Sequence, residues 1–207
     1  MKNHDILSLL QKDIHTTIMA TLDENGCPVT CAIDMMLLED EQLYFITARG
    51  KAFYQRLMHN HQIALTGLKG EETLSSIAIS LQGKVKSMGQ QKLDDIFEMN
   101  PYMKTIYPDQ ASRDILEVFV IYECHGEFFD LSQKPIVRKS FSVNQMIEKK
   151  GYIIKEGCIG CQYCYQICPQ KCIDVTQIPA VIIQEHCLHC GKCVEICPKH
   201  VIERGIL

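Results

Sequence analysis

Eight of the twelve cysteines fall into two runs with one spacing. Cys158, Cys161, Cys164 and Cys168 precede Pro169, and Cys187, Cys190, Cys193 and Cys197 precede Pro198. Each run reads C-x2-C-x2-C-x3-C-P, and the runs are offset by 29 residues. Thiols in this pattern suit iron–sulfur chemistry. Three thiolates two residues apart wrap a tight loop around three corners of a [4Fe–4S] cube, and the fourth iron needs a thiolate from elsewhere. The last cysteine of each run is expected to point into the other half of the segment. The spacing therefore predicts one cluster on Cys158, Cys161, Cys164 and Cys197, and a second on Cys187, Cys190, Cys193 and Cys168. Proline after the crossing ligand suits a turn, having a fixed φ and no N–H. Gly160 and Gly191 suit loops whose amides approach sulfide closely.

Zinc is the competing reading, since C-x2-C pairs also bind it. Zinc, however, wants two pairs separated by a longer loop, not four close thiols and a proline, repeated. Disulfides fit less well. The first twenty residues hold Asp5, Lys12 and Asp13 and no uninterrupted apolar core, so no signal peptide is expected. No stretch approaches the ~18 apolar residues of a membrane span. A cytoplasmic protein, with no membrane partner, is the expectation, and there cysteine patterns mean metal or redox chemistry. Of the other cysteines, Cys172 occupies the place of Val201 in the second repeat and reads as a small buried hydrophobe. Cys27, Cys31 and Cys124 read as core or barrel residues. His186 and His189 flank the second run as polar neighbours that could tune a cluster by hydrogen bonding.

The 207 residues and formal net charge of −4 allow one large or two modest domains. With no basic run or basic–aromatic interleaving, nucleic acid is excluded as a partner. The segment 151–207 is too small for much apolar core and is expected to need its clusters to fold. Residues 133–150 read as a connector, leaving 1–132 as an independently folded domain.

That first domain reads as mainly β with flanking helices. Helical periodicity covers 5–13. Thr16 to Leu22 is rich in β-formers, Asp23-Glu24-Asn25-Gly26 is a hairpin turn, and Val29 to Leu38 continues as one strand. A third strand runs from Gln42 to Thr47. The pattern is helical from Gly50 to Asn60, strand-like over 62–68 and 75–86, helical again around Asn100-Pro101, and ends in a long strand from Ile115 to Phe129. Short strands with turns at this density suggest a barrel.

The order of these pieces resembles the pyridoxamine 5′-phosphate oxidase-like, FMN-binding split barrels over roughly residues 5–130. The matching phrases are Ile18-Met19-Ala20-Thr21-Leu22-Asp23 through Gly26-Cys27-Pro28-Val29, Leu43-Tyr44-Phe45-Ile46-Thr47-Ala48-Arg49-Gly50-Lys51, Tyr54-Gln55-Arg56-Leu57 and Leu81-Gln82-Gly83-Lys84-Val85. The C-terminal segment resembles two-cluster bacterial ferredoxins more specifically. The fold class implied is a β split barrel with flanking helices plus a small α+β ferredoxin-like domain. The resemblance implies an FMN whose phosphate meets Thr47, Ala48, Arg49 and Lys51 near a helix start. The ring would lie along Val29, Thr30, Cys31 and Ala32, with Gln82 a further contact. Many relatives carry an arginine where this chain has Cys31, and another near Ser80, so the expected pocket has lost positive charge.

These readings predict an iron–sulfur flavoprotein oxidoreductase that passes electrons between FMN and two [4Fe–4S] clusters. It is expected to be a homodimer that meets a redox protein or a small-molecule electron acceptor. The alternative is a non-catalytic electron carrier or redox sensor whose barrel serves docking and dimerisation. No strand–G-x-G-x-x-G–helix unit for a nicotinamide dinucleotide is present.

Overall fold

A computed structural model describes residues 1–207. The chain divides into two compact units: Met1–Gly70 with Ala78–Glu127 and Phe141–Met146, and Glu71–Ile77 with Phe128–Ser140 and Ile147–Leu207.

In the larger unit, α1 (Asn3–Ser8) leads through a π-helical turn at Leu9–Ile14 into β1 (Thr16–Leu22). β2 (Pro28–Asp34), β3 (Leu37–Glu39) and β4 (Gln42–Ala48) follow, then α2 (Ala52–His59), β5 (Gln62–Lys69) and β6 (Ile77–Gly89). Next come α3 (Leu93–Met99), α4 (Met103–Ile106), α5 (Gln110–Arg113), β7 (Leu116–Asp130) and β8 (Val137–Val143). The strands form one sheet in the order β2-β1-β5-β6-β7-β4-β3, with β8 also pairing β7. The path opens at β2 and β3, so the barrel is split rather than closed. The segment read as a connector thus carries a strand of this sheet.

The β1–β2 hairpin forms where its turn chemistry sits. Asp23 Oδ1 accepts the backbone N–H of Asn25 at 2.9 Å and of Cys27 at 2.8 Å, and Gly26 adopts φ +77°, a left-handed geometry that glycine reaches without strain. The expected single strand from Val29 to Leu38 is broken at Met35-Met36. Both methionines are buried, and a straight strand cannot send consecutive side chains to one side. Met35 N–H bonds to the His15 carbonyl and Met36 N–H to that of Tyr44, which turns the chain.

At the centre, Phe45 and Phe119 face each other across β4 and β7. Their rings stack with centroids 5.7 Å apart, and Phe53 of α2 closes on Phe45 at 6.1 Å. Leu93, Ile96 and Phe97 of α3 cover a second cluster with Met36, Leu37, Tyr44 and Val118. Asn100 holds that cap down, donating to the carbonyls of Met36 and Ile96 at 2.8 Å.

β6 and β7 approach so closely at Gly126 that a Cβ there would lie 2.1 Å from the Ser80 carbonyl oxygen. Backbone, not a movable side chain, is in the way. Gly126→Ala is expected to lower stability by about 1–3 kcal/mol, seen as a fall in the denaturant midpoint with the slope unchanged.

The smaller unit repeats a pattern. β9 (Lys150–Ile154) pairs β12 (Ile202–Ile206), and β10 (Ile173–Asp174) pairs β11 (Val181–Ile182). Between them lie α6 (Tyr163–Ile167) and α7 (Lys192–Ile196). The sequence offset of 29 reappears in the backbone: Gly160 and His189, Gln162 and Gly191, and Lys171 and His200 all have positive φ. Each glycine has a non-glycine counterpart, so the loop shape belongs to the repeat and glycine relieves it at alternate places. No helix of the chain is long and apolar enough to cross a membrane.

Candidate redox sites

In the smaller unit the two runs interleave. One cavity is lined by Cys158, Cys161 and Cys164, from the loop into α6, and by Cys197, which follows α7. Ile154, Val175, Ala180, Val201 and Ile202 complete its wall. The other is lined by Cys187, Cys190 and Cys193 and by Cys168 from the first run, with Tyr152, Ile173, Ile182 and Leu188 around them. Each cavity therefore gathers three cysteines of one run and the last of the other.

A fifth cysteine, Cys172, also lines the second cavity. It is buried, as expected, but its Sγ stands 3.6 Å from Cys168 Sγ. Its hydrogen bond to Cys187, with burial and the contact to Cys168, pushes the Cys172 thiol up. The same bond, against burial, brings Cys187 down to about 6, with smaller help from the His189 N–H and Arg138. Burial pushes Cys193 up to about 11 and raises Cys164. His186 turns its Nδ1 to the Ile136 carbonyl at 3.0 Å.

In the larger unit, β2 is the open edge. Val29 and Cys31 are part-buried on one side, while Thr30 and Ala32 are exposed on the other. Burial raises the Cys31 thiol, and the charges of Arg56 and Lys51 pull against it. α2 thus brings two cations towards the place where relatives have an arginine. Arg56 is held by its Nε–H donating to Thr21 Oγ1 at 2.8 Å, with the guanidinium 5.8 Å from the Phe53 ring. Lys51 is exposed at the N-cap of α2.

Thr47 is buried, and its Oγ1 has no hydrogen-bond partner. It pairs across β4 and β7 with Glu117, also buried, whose carboxylate accepts from Tyr54 Oη at 3.1 Å and from Ser87 Oγ. The Arg49 guanidinium donates to the Asp114 carbonyl, and Ala48 is half-buried. Gln82 lies in a cleft of about 460 Å³ with Thr21, Pro28, Gln62, Lys84, Glu123, His125 and Gln145. Lys84 pairs with Glu123 at 2.9 Å, and Gln145 Nε2 meets His125 Nδ1 at 3.0 Å. Thr21 holds Arg56 through its Oγ1 and also borders the cleft.

Lys51 and Arg56 therefore act on Cys31 at the part-buried face of β2, Gln82 lies in the cleft on the exposed face that Ala20 shares with Thr30, and Thr47 is buried beside Glu117. Sequence reasoning missed Arg56, Thr21, Glu117 and His125 as site residues. Glu117 had a readable signal, a carboxylate interrupting the apolar run Leu116 to Ile121. Arg56 had none, since a solvated arginine on a helix looks the same.

A family model described as pyridoxamine 5′-phosphate oxidase matches residues 5–122, and one described as a 4Fe-4S dicluster domain matches 136–202. Among solved structures, a nimC/nimA family protein from Clostridium acetobutylicum superposes with a TM-score of 0.55 at 18% identity, covering 67% of this chain and 90% of that one. A heme binding protein from Mycobacterium smegmatis gives 0.54 at 12% identity, covering 69% and 58%. A protein related to general stress protein 26, of the pyridoxinephosphate oxidase family, also from Clostridium acetobutylicum, gives 0.51 at 13%, covering 70% and 98%. At these identities the likeness is one of fold. No curated protein matches.

Proposed function

The chain belongs to the pyridoxamine 5′-phosphate oxidase family, and from that premise we propose that it is an iron–sulfur flavoprotein oxidoreductase, relaying electrons between a barrel-bound FMN and two [4Fe–4S] clusters. The observation that carries this reading is the pair of interleaved cysteine cages on a chain whose barrel sets the charges of Lys51 and Arg56 to act on Cys31.

Cys158, Cys161, Cys164 and Cys197 would hold one cluster, and Cys187, Cys190, Cys193 and Cys168 the other. Bound there, the clusters supply one-electron storage at potentials set by hydrogen bonds to sulfur and by exposure. The apolar walls shield the buried members of each set, while Cys190 is exposed and Cys158 and Cys161 are half-buried. On the barrel, Lys51 and Arg56 offer charge-assisted donors to a phosphate, and the orphaned Thr47 hydroxyl is a donor awaiting an acceptor. Val29 to Ala32 would lie along the flavin ring, with Gln82 in the adjoining cleft. FMN so placed supplies exchange of an electron pair with a substrate and of single electrons with the clusters. Thr21 fixes the Arg56 guanidinium, and Glu117 accepts from Tyr54 and Ser87.

The partner is a second copy of this chain. Ile18, 53% exposed on β1, stands beside Ala32 and Thr66 on its neighbouring strands, an apolar and small-residue surface next to the open edge. Ile18→Lys is expected to convert a dimer into a monomer in light scattering at micromolar concentration, with far-UV circular dichroism unchanged.

The reading as a whole is tested by iron, sulfide and flavin assays on one anaerobic sample, followed by reductive titration in visible light. About eight irons per chain, with a flavin that bleaches in step with the clusters, is expected. Eight irons without flavin, even after added FMN, would leave an electron carrier, and a heme absorption band would reassign the cleft to the ligand named for the mycobacterial neighbour.

A further inference from the structure

Among the places where the two halves of the smaller unit differ around the cages, one exchanges a thiol for methyl groups. Cys172 lines the second cavity where Val201, 29 residues on, lines the first. Cys172 is only 4% exposed, and its Sγ lies 3.6 Å from Cys168 Sγ. Iron binds cysteine as thiolate. Once Cys168 holds iron it has no proton to give, and the donor in that contact is the Cys172 thiol.

We propose that Cys172 is a positioning residue whose S–H donates to a thiolate ligand of the second cluster and makes that cluster easier to reduce than it would be with valine there. This rests on the assignment of the cysteine sets as cluster ligands. On reduction one electron, supplied by an external reductant, enters the core; no ligand bond breaks and no proton moves. Negative charge on the ligand sulfurs grows, so a donor beside them favours the reduced form more than the oxidised one. At the first cavity the methyl groups of Val201 offer no donor.

The test is an anaerobic redox titration of the full-length holoprotein with dithionite, followed by electron paramagnetic resonance, with iron assayed on each sample. Cys172→Val, which copies the first repeat, is expected to leave iron at its wild-type level. It should lower the reduction equilibrium constant of one cluster about tenfold, or ~59 mV for one electron, and leave the other in place. Val201→Cys should raise the other cluster instead. Cys172→Ser, which keeps a donor, should stay near wild type and serves if the valine variant does not fold. Full iron with both potentials unmoved overturns the inference. So does a loss of about half the iron in Cys172→Val, which would make Cys172 a ligand. A wild-type protein that takes up no iron overturns the ligand assignment itself, a result distinct from either.

Discussion

Replacing Cys161 and Cys197 together should cost the chain no more iron than replacing either one alone. The two residues lie in different runs, yet both line the first cavity. If they serve one cluster, each alanine variant falls from about eight irons to about four, and the double variant stays at about four. If instead each run held its own cluster, the same pair of changes would strike two clusters and leave the double variant with about none. Cys161→Ala with Cys190→Ala is the contrast, because those residues line different cavities and their combination should lose all the iron. This is the logic of a double-mutant cycle: changes in one cooperative unit fail to add, whereas changes in separate units add. Iron assayed after anaerobic reconstitution gives the result directly. Four irons in Cys161→Ala with about none in the double variant would overturn the crossing assignment.

The grouping of three cysteines of one run with the last of the other around each cavity was legible in the sequence because ligand chemistry dictates spacing. A cube needs thiolates at fixed separations, and the chain can meet that need in few ways. The β1–β2 turn was legible for a similar reason, since Asp23 and Gly26 satisfy local backbone demands. The break at Met35-Met36 was not. Its cause lies in hydrogen bonds to His15 and Tyr44, one on the preceding turn and one on the following strand. A run of apolar residues from Met35 to Leu38 reads the same whether the strand goes straight or bends.

The barrel site divides along the same line. Lys51 and Gln82 stood out because they sit in phrases with a family resemblance. Arg56 lay inside such a phrase and was passed over, because its significance comes from α2 packing against β1, where Thr21 takes its Nε–H. Cys172 shows the limit from the other side. Its equivalence with Val201 correctly gave burial, but aligned sequence cannot say that the buried sulfur faces other sulfurs.

Arg56→Ala and Lys51→Ala should each weaken FMN binding by about ten- to a hundredfold, and the double variant by more than either. Hydrogen bonds to charged groups contribute about 1.5–3 kcal/mol each, and every 1.4 kcal/mol is about tenfold in affinity. The two cations act on the Cys31 position together, so the loss of one leaves the other to hold a phosphate alone. Arg56→Lys separates charge from geometry. It keeps the positive charge but loses the planar fork and the bond to Thr21, and should fall between wild type and alanine. Thr47→Val removes only the orphaned hydroxyl. If that hydroxyl meets the phosphate the variant binds FMN more weakly, and if it does not the chain becomes slightly more stable, because an unsatisfied buried polar group has been removed. Flavin fluorescence quenching on apoprotein gives the affinities, and iron content on the same samples should stay constant, since the cysteine cages form within the other unit. FMN affinity unchanged in the Lys51/Arg56 double variant would remove the phosphate from this end of the barrel, and with it the orientation proposed for the ring along Val29 to Ala32.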